Sequence, residues 1–226
     1  IGNGTFRLDP ATVRTIHVTD GPKERDVQCP RVPDRIGVHA VMTVVERYTY
    51  PALIHNTAAS IKGRGMHWLH HIIEDDIDAD HENMSHYYQS DIEHYYDNIN
   101  QLIMMAQTRE YISDPVLLPI TDGFITLMPE GLSKGLRSSQ TLANLHLNGV
   151  DHAMCDVVSY HEIPEESQES GIGVAINGDG HIIVDGKIRR FHYYRYCDDI
   201  VFFAADKKTL WMLRDKLVWL LAELGL

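Results

Sequence analysis

Asp198 and Asp199 are adjacent carboxylates between two β-prone runs, 192–196 and 200–204, so a hairpin would carry both at its tip. Asp91 stands near the C-terminal end of another alternating run, 86–92. Three carboxylates delivered to one place from separate strands repel each other unless cations lie between them. Hard divalent ions take oxygen ligands, and two magnesium ions about 4 Å apart can activate an attacking hydroxyl and stabilise a leaving oxygen in phosphoryl transfer. The pattern therefore points to phosphoryl chemistry with two Mg2+ ions, for which Mn2+ is the natural substitute. An Asp-Asp pair is also ordinary turn chemistry, and alone it specifies no metal.

The elements that must position these groups follow from periodicity. Ile36, Ala40, Val41, Val44, Val45 and Tyr48 recur at helical spacing between Asp34, a candidate N-cap, and Pro51. Residues 60–65 read as a Gly-flanked basic turn holding Lys62 and Arg64, and a helix over 66–77 runs into an acidic stretch. A helix is predicted over 99–107, a Pro-punctuated segment around Pro115 and Pro119, a loop at 131–135 and one helix over 138–154. Asp185-Gly186 signals a type I′ turn between 181–184 and 187–190, inside a polar, Gly-rich segment, 157–190, that reads as an insertion. Leu210, Leu213, Leu217, Leu220, Leu221 and Leu224 mark a last amphipathic helix. This order suits an α+β fold, an antiparallel sheet with helices on one face, with a helix-rich subdomain at 1–85 and a sheet domain at 86–226.

At 226 residues and 44% hydrophobic, the chain can bury a real core, and none of its apolar runs approaches the ~18 residues of a membrane span. No membrane partner is expected. The chain begins at Ile1 and stops after a helical pattern, which reads as a piece of something longer. Cys29, Cys155 and Cys197 are odd in number and lack CxxC spacing, so neither a disulfide framework nor a zinc ribbon is indicated, and a cytoplasmic setting fits. His67 and His71 have i,i+4 spacing suited to zinc but no HExxH pattern, and surface or core histidines are the plainer reading.

A net charge of −12 has the wrong sign for a surface that neutralises phosphates. The acidic excess is concentrated between Glu74 and Glu93, however. Lys62, Arg64, Lys134, Arg137, Lys187, Arg189, Arg190 and Arg195 lie elsewhere and leave room for a basic groove.

Several segments together resemble the reverse transcriptases of bacterial retroelements. Tyr193-Tyr194-Arg195-Tyr196-Cys197-Asp198-Asp199-Ile200-Val201 looks like that family's catalytic hairpin, and Ser90-Asp91-Ile92-Glu93-His94-Tyr95-Tyr96 is similar to the segment supplying its first aspartate. Gly131-Leu132-Ser133-Lys134-Gly135, with Ser139-Gln140 beyond it, resembles the template-and-nucleotide loop and its helix. Residues 33–40 and 55–65 look like the fingers of the group II intron and diversity-generating branches. Lys134 and Ser133 depart from the residues usual there.

The resemblance implies an RNA-directed DNA polymerase with right-hand architecture: fingers at 1–85, a ferredoxin-like palm at 86–226, and the thumb absent. Asp91, Asp198 and Asp199 would be the catalytic metal ligands, with the Ile92 carbonyl a further ligand. Lys62 and Arg64 would meet the incoming triphosphate, and Tyr96 would crowd the sugar 2′ position and select deoxynucleotides. Gly135 and Gln140 would border the nascent base pair, and Lys134 would touch the template strand. Implied partners are an RNA template with a DNA or RNA primer and deoxynucleoside triphosphates, with room for a protein partner. A solvated basic turn at 62–64, a core role for Tyr96 and an ordinary loop glycine at 135 are the structural alternatives. The rival functions are a non-polymerising relative that binds RNA or protein, and another palm-type nucleotidyl transferase.

Overall fold

The computed structural model describes residues 6–21, 23–155 and 179–226. In chain order the elements are β1 (Arg14–Asp20), β2 (Lys23–Cys29), α1 (Val32–Thr49), β3 (Thr57–Ala58), α2 (Met66–Ala79), β4 (His86–Ser90), α3 (Tyr95–Asn98), α4 (Gln101–Tyr111), α5 (Leu117–Ile125), α6 (Arg137–His146), α7 (Asn148–Cys155), β5 (Asp179–Val184), β6 (Lys187–Tyr196), β7 (Asp199–Ala204) and α8 (Lys207–Glu223). They form two compact units, each discontinuous in sequence. One comprises Ile1–Leu53, His94–His146 and Leu224–Leu226, and the other Ile54–Glu93 and Leu147–Glu223. The chain crosses between units several times, so contact does not follow a single break at residue 85: the turn and helix over 54–85 pack with the sheet.

Among the described residues, the first unit has a β1–β2 antiparallel hairpin and five α-helices. α1 begins two residues before Asp34, because Pro33 at the first turn has no N–H to lose and a φ already suited to helix. Asp34 is not the cap; its carboxylate takes the Nε of Arg31 at 2.9 Å. Val38, Val41, Met42, Val45 and Thr49 make the buried face of α1, and each large apolar side chain buried contributes about 1.5–3 kcal/mol. α5 was not expected from the Pro-punctuated sequence. Asp114 caps its start, accepting from the N–H groups of Val116 and Leu117 at 2.7 and 3.0 Å, and Pro119 falls in the first turn, where a missing N–H costs little. The single helix expected over 138–154 is two, α6 and α7. The break at Leu147 precedes Asn148-Gly149, both poor helix formers, and it is where the chain passes from one unit to the other.

The second unit is built on a five-stranded sheet ordered β3-β6-β7-β4, with β5 also paired to β6. All pairs are antiparallel except the two-residue β3–β6 pair. Asp185 and Gly186 both have positive φ, 52° and 72°, as a type I′ turn requires. The described part of the expected insertion is integral to the sheet, since β6 runs unbroken from Lys187 to Tyr196; residues 157–178 lie outside the described residues.

Helices cover both faces of this sheet, not one. Side chains alternate along a strand, so Tyr193 and Tyr194 face opposite ways. The Tyr193 hydroxyl donates to Asp151 in α7 at 2.8 Å, on the face where Tyr88, paired across the sheet with Phe202, also meets Trp211 of α8. The Tyr194 hydroxyl donates to Asp76 in α2 at 2.6 Å. There Tyr194, Leu69, Met84 and Ala58 form a buried cluster with Ile72, Ile73, Val201 and Phe203. A sheet with two apolar faces needs a cover on each, and β6, with five successive buried residues from Phe191 to Arg195, shows it. No helix among the described residues is long and apolar enough to cross a membrane.

Candidate active site

β6 and β7 pair as far as Tyr196↔Asp199, leaving Cys197 and Asp198 as a two-residue turn. Cys197 occupies the first central position at φ 58°, the left-handed region that hairpin turns normally fill with glycine. β4 pairs with β7 as far as Ser90↔Ile200, so continuing the register by one residue sets Asp91 level with Asp199. The three predicted carboxylates therefore share one end of one sheet. Asp91 and Asp199 are exposed, Asp198 is half-buried and Ile92 is buried.

Their oxygens do not converge as a trio. Among the described residues, the one group of three potential ligands within 4.8 Å of each other is His70, His71 and Glu74, all exposed on α2. Glu74 lies 3.2 Å from Nδ1 of each histidine, and the i,i+4 partner expected for His71, His67, is not part of the group. The donor set at the sheet end is nonetheless chemically suited to magnesium: three carboxylates with a backbone carbonyl at Ile92, all hard oxygen, on elements fixed by strand pairing.

The basic turn belongs to the same unit. Ala59, Ser60 and Gly63 have φ of 77°, 56° and 83°, and the Ala59 N–H donates to the Arg64 carbonyl at 3.1 Å. Lys62 is exposed on this turn. Arg64 folds back, donating to the carbonyls of Ile54 and His55 at 3.0 and 3.3 Å with its guanidinium 5.7 Å from the Trp68 ring centroid. In the structure it closes the turn.

Tyr96, Lys134, Gly135 and Gln140 belong to the other unit. Tyr96 is half-buried on α3, its ring 5.7 Å from that of Tyr95, whose hydroxyl donates to the Ala143 carbonyl at 2.7 Å. Lys134 Nζ is paired with Asp97 at 2.7 Å, while Lys134 and Gln28 are joined through N–H and carbonyl groups in both directions. Gly135 has φ 95°, and a Cβ there would come within 2.3 Å of the Val27 side chain, so β2 dictates the glycine. Gly135, Leu136, Arg137 and the exposed Gln140 line a groove of about 760 Å³ with Ile16, Val27 and Ile36.

The basic groove suggested by the charge pattern is reduced by internal pairing. Arg137 holds Glu46, Lys134 holds Asp97, Arg190 lies 3.2 Å from Asp80, and Arg195 is completely buried against Asp151. Hydrogen bonds also set the acidic side. Burial pushes the Asp80 carboxyl up, but His192 and Asn83 as hydrogen-bond partners and the charge of Arg190 hold it below its usual range. Sequence reasoning missed Asp151 and the buried role of Arg195. The available signal was a charged residue inside an aromatic β-prone run, which demands a buried partner.

Burial raises the Tyr193 hydroxyl well above its ordinary pKa, and the adjacent Asp151 charge adds to this, so it remains a donor to that carboxylate. The Asp151 carboxylate is thereby surrounded by donors.

No family model matches the chain, and no curated protein matches it. Among solved structures it is similar to an apo telomerase from Candida tropicalis, truncated from its C-terminal domain, with a TM-score of 0.50 and 10% identity. The likeness covers 93% of this chain and 47% of the telomerase, so the chain spans about half of that length. At such identity the similarity is one of fold, a mixed α+β arrangement of a sheet with helices.

Proposed function

We propose that the chain is the fingers-and-palm part of an RNA-directed DNA polymerase of the retroelement type. The observation that carries the reading is the sheet register, which brings Asp91 level with Asp199 on the strand next to the Asp198 turn. The telomerase-like fold and the motif resemblance support it.

In this reading Asp91, Asp198 and Asp199, with the Ile92 carbonyl, hold two magnesium ions. When bound, these supply charge neutralisation at the reacting phosphate and lower the pKa of the attacking hydroxyl. The primer 3′-hydroxyl attacks the α-phosphate of a deoxynucleotide and pyrophosphate leaves. Lys62, exposed on its turn, reaches the triphosphate, and Arg64 keeps that turn closed. Tyr96 stands against the sugar 2′ position, Gly135 and Gln140 border the base pair, and Lys134 exchanges Asp97 for the template backbone. The partners are an RNA template, a DNA or RNA primer and deoxynucleoside triphosphates, in a cytoplasm that keeps the three cysteines reduced.

Extension of a DNA primer on an RNA template by the full-length protein, thumb included, with Mg2+ and with Asp198→Asn alongside, tests the activity. Isothermal titration of Mn2+ into the chain tests the site directly. Magnesium-dependent extension and Mn2+ binding, both lost in Asp198→Asn, are expected; their absence from the wild type overturns the reading.

A further inference from the structure

Arg195 lies beneath the turn that carries the two aspartates, and its side chain and that of Asp151 are both 0% exposed. Nε and Nη2 donate to the Asp151 carboxylate, at 2.8 Å to Oδ1 and 2.6 Å to Oδ2 respectively. Nη1 turns the other way and donates to the Cys197 carbonyl at 2.8 Å. Asp151 is itself fixed, accepting also from the Tyr193 hydroxyl at 2.8 Å and the Thr57 hydroxyl at 3.2 Å. On its other side, the Cys197 N–H donates to the Ala58 carbonyl of β3 at 3.3 Å.

Cys197 is thus held at both of its peptide groups, and it needs to be. A residue with a β-carbon at φ 58° is strained, and such a conformation persists only when the surroundings over-determine it. β3 fixes the donor side and Arg195 the acceptor side. The Cys197 carbonyl belongs to the peptide that leads directly into Asp198, so its direction governs where that carboxylate points.

We propose that Arg195, locked by Asp151, is a positioning residue that sets the peptide between Cys197 and Asp198 and thereby aims the aspartates at their divalent cations. This rests on the metal-site reading above. The planar guanidinium is suited to the task because it serves two targets at a fixed angle, whereas a lysine ammonium is a single point charge on a flexible stem. Stability gives no equal reason for the pair, because well-packed apolar residues of similar volume commonly replace a buried ion pair without loss.

The test compares Mn2+ affinity by titration calorimetry and thermal melting in the wild type, Arg195→Lys, the apolar pair Arg195→Met/Asp151→Leu, Asp198→Asn and Arg195→Lys/Cys197→Gly. Loss of a group that orients a metal ligand typically weakens binding by about 10–100-fold, and that loss is expected in Arg195→Lys and in the apolar pair, even where the latter melts like the wild type. Glycine at 197 adopts positive φ without strain, so Cys197→Gly is expected to restore part of the affinity in the Arg195→Lys background. Wild-type Mn2+ affinity in a folded Arg195→Lys or apolar-pair variant overturns the positioning role. Absence of Mn2+ binding in the wild type, or its persistence in Asp198→Asn, overturns the metal site itself and the proposal with it.

Discussion

A Cβ on Gly131 would stand 2.3 Å from the backbone carbonyl oxygen of Tyr96. The loop can approach α3 this closely because residue 131 is glycine, at φ 63°, and the contact is completed by the Leu132 N–H, which donates to the same carbonyl at 2.7 Å. Gly131→Ala adds both strain and a backbone clash. A loss of about 2–4 kcal/mol is expected, read as a fall in the denaturant midpoint at unchanged slope. An unchanged midpoint would show that the loop relaxes freely.

Tyr96 itself is open to a functional test because its ring is only half-buried. Tyr96→Ala is expected to raise the ratio of ribonucleotide to deoxynucleotide incorporation, while Tyr96→Phe keeps the wild-type ratio. If alanine leaves sugar selection as it was, Tyr96 is a packing residue.

His146 is buried in α6 and stacked against Tyr95, with Nδ1 2.7 Å from Gln107 Oε1 and Nε2 without a hydrogen-bond partner among the described residues. Burial lowers its pKa from 6.5 to about 4. The neutral ring therefore donates from Nδ1, and between these values the unfolded chain binds the proton more readily than the folded one. Stability attributable to His146 is full above pH ~6.5 and falls as pH drops toward ~4, by on the order of 3 kcal/mol in total. Denaturant titrations at pH 7 and 4.5 are expected to show a shallower decline in His146→Leu than in the wild type. The substitution also removes the partner of Gln107 Oε1 at every pH, so the slope with pH is the informative quantity.

Arg137 Nε donates to Glu46 Oε1 at 2.8 Å, and its Nη2 pairs with the other oxygen, joining α6 to α1 within one unit. The Thr141 hydroxyl adds a third donor at 3.1 Å. Arg137→Met leaves the Glu46 carboxylate largely buried with only the Thr141 and Tyr50 hydroxyls among these partners beside it, and a loss of about 1–3 kcal/mol is expected after allowance for the partly exposed arginine. Glu46→Leu/Arg137→Met removes both charges and is expected to recover most of it. Equal melting points for the single and double variants would refute the coupling.

Asp91 and Asp199 present like charges at neighbouring positions of the sheet end. Asp91→Asn is expected to weaken Mn2+ binding at least as far as calorimetry can follow, while the metal-free protein melts no lower than the wild type. A lower metal-free melting point would mark Asp91 as a structural residue.

Much of the fold around the candidate site was legible because its signals are local. Alternation and β-propensity located β6 and β7 around Asp198-Asp199, Asp185-Gly186 identified its turn, and helical spacing found α1, α2 and α8. α5 escaped because Pro119 reads as a breaker until Asp114 is seen to cap ahead of it. The α6–α7 break and the helix on the second sheet face escaped because periodicity reports that a side is apolar and is silent on what covers it. Arg64 and Arg195 looked like groove cations because charge in a sequence carries no direction.

By itself the sequence determined which carboxylates lie at strand ends, since residue type and a period of two are properties of a short stretch. It could not determine that Asp91 falls level with Asp199, because register between β4 and β7 is set by pairing across more than a hundred residues. Nor could it show that a buried Arg195, clamped by Asp151, holds the Cys197 carbonyl. Only tertiary structure brings α7 beneath the hairpin, where removing a guanidinium from water obliges it to find a carboxylate and leaves its remaining donors to fix the turn.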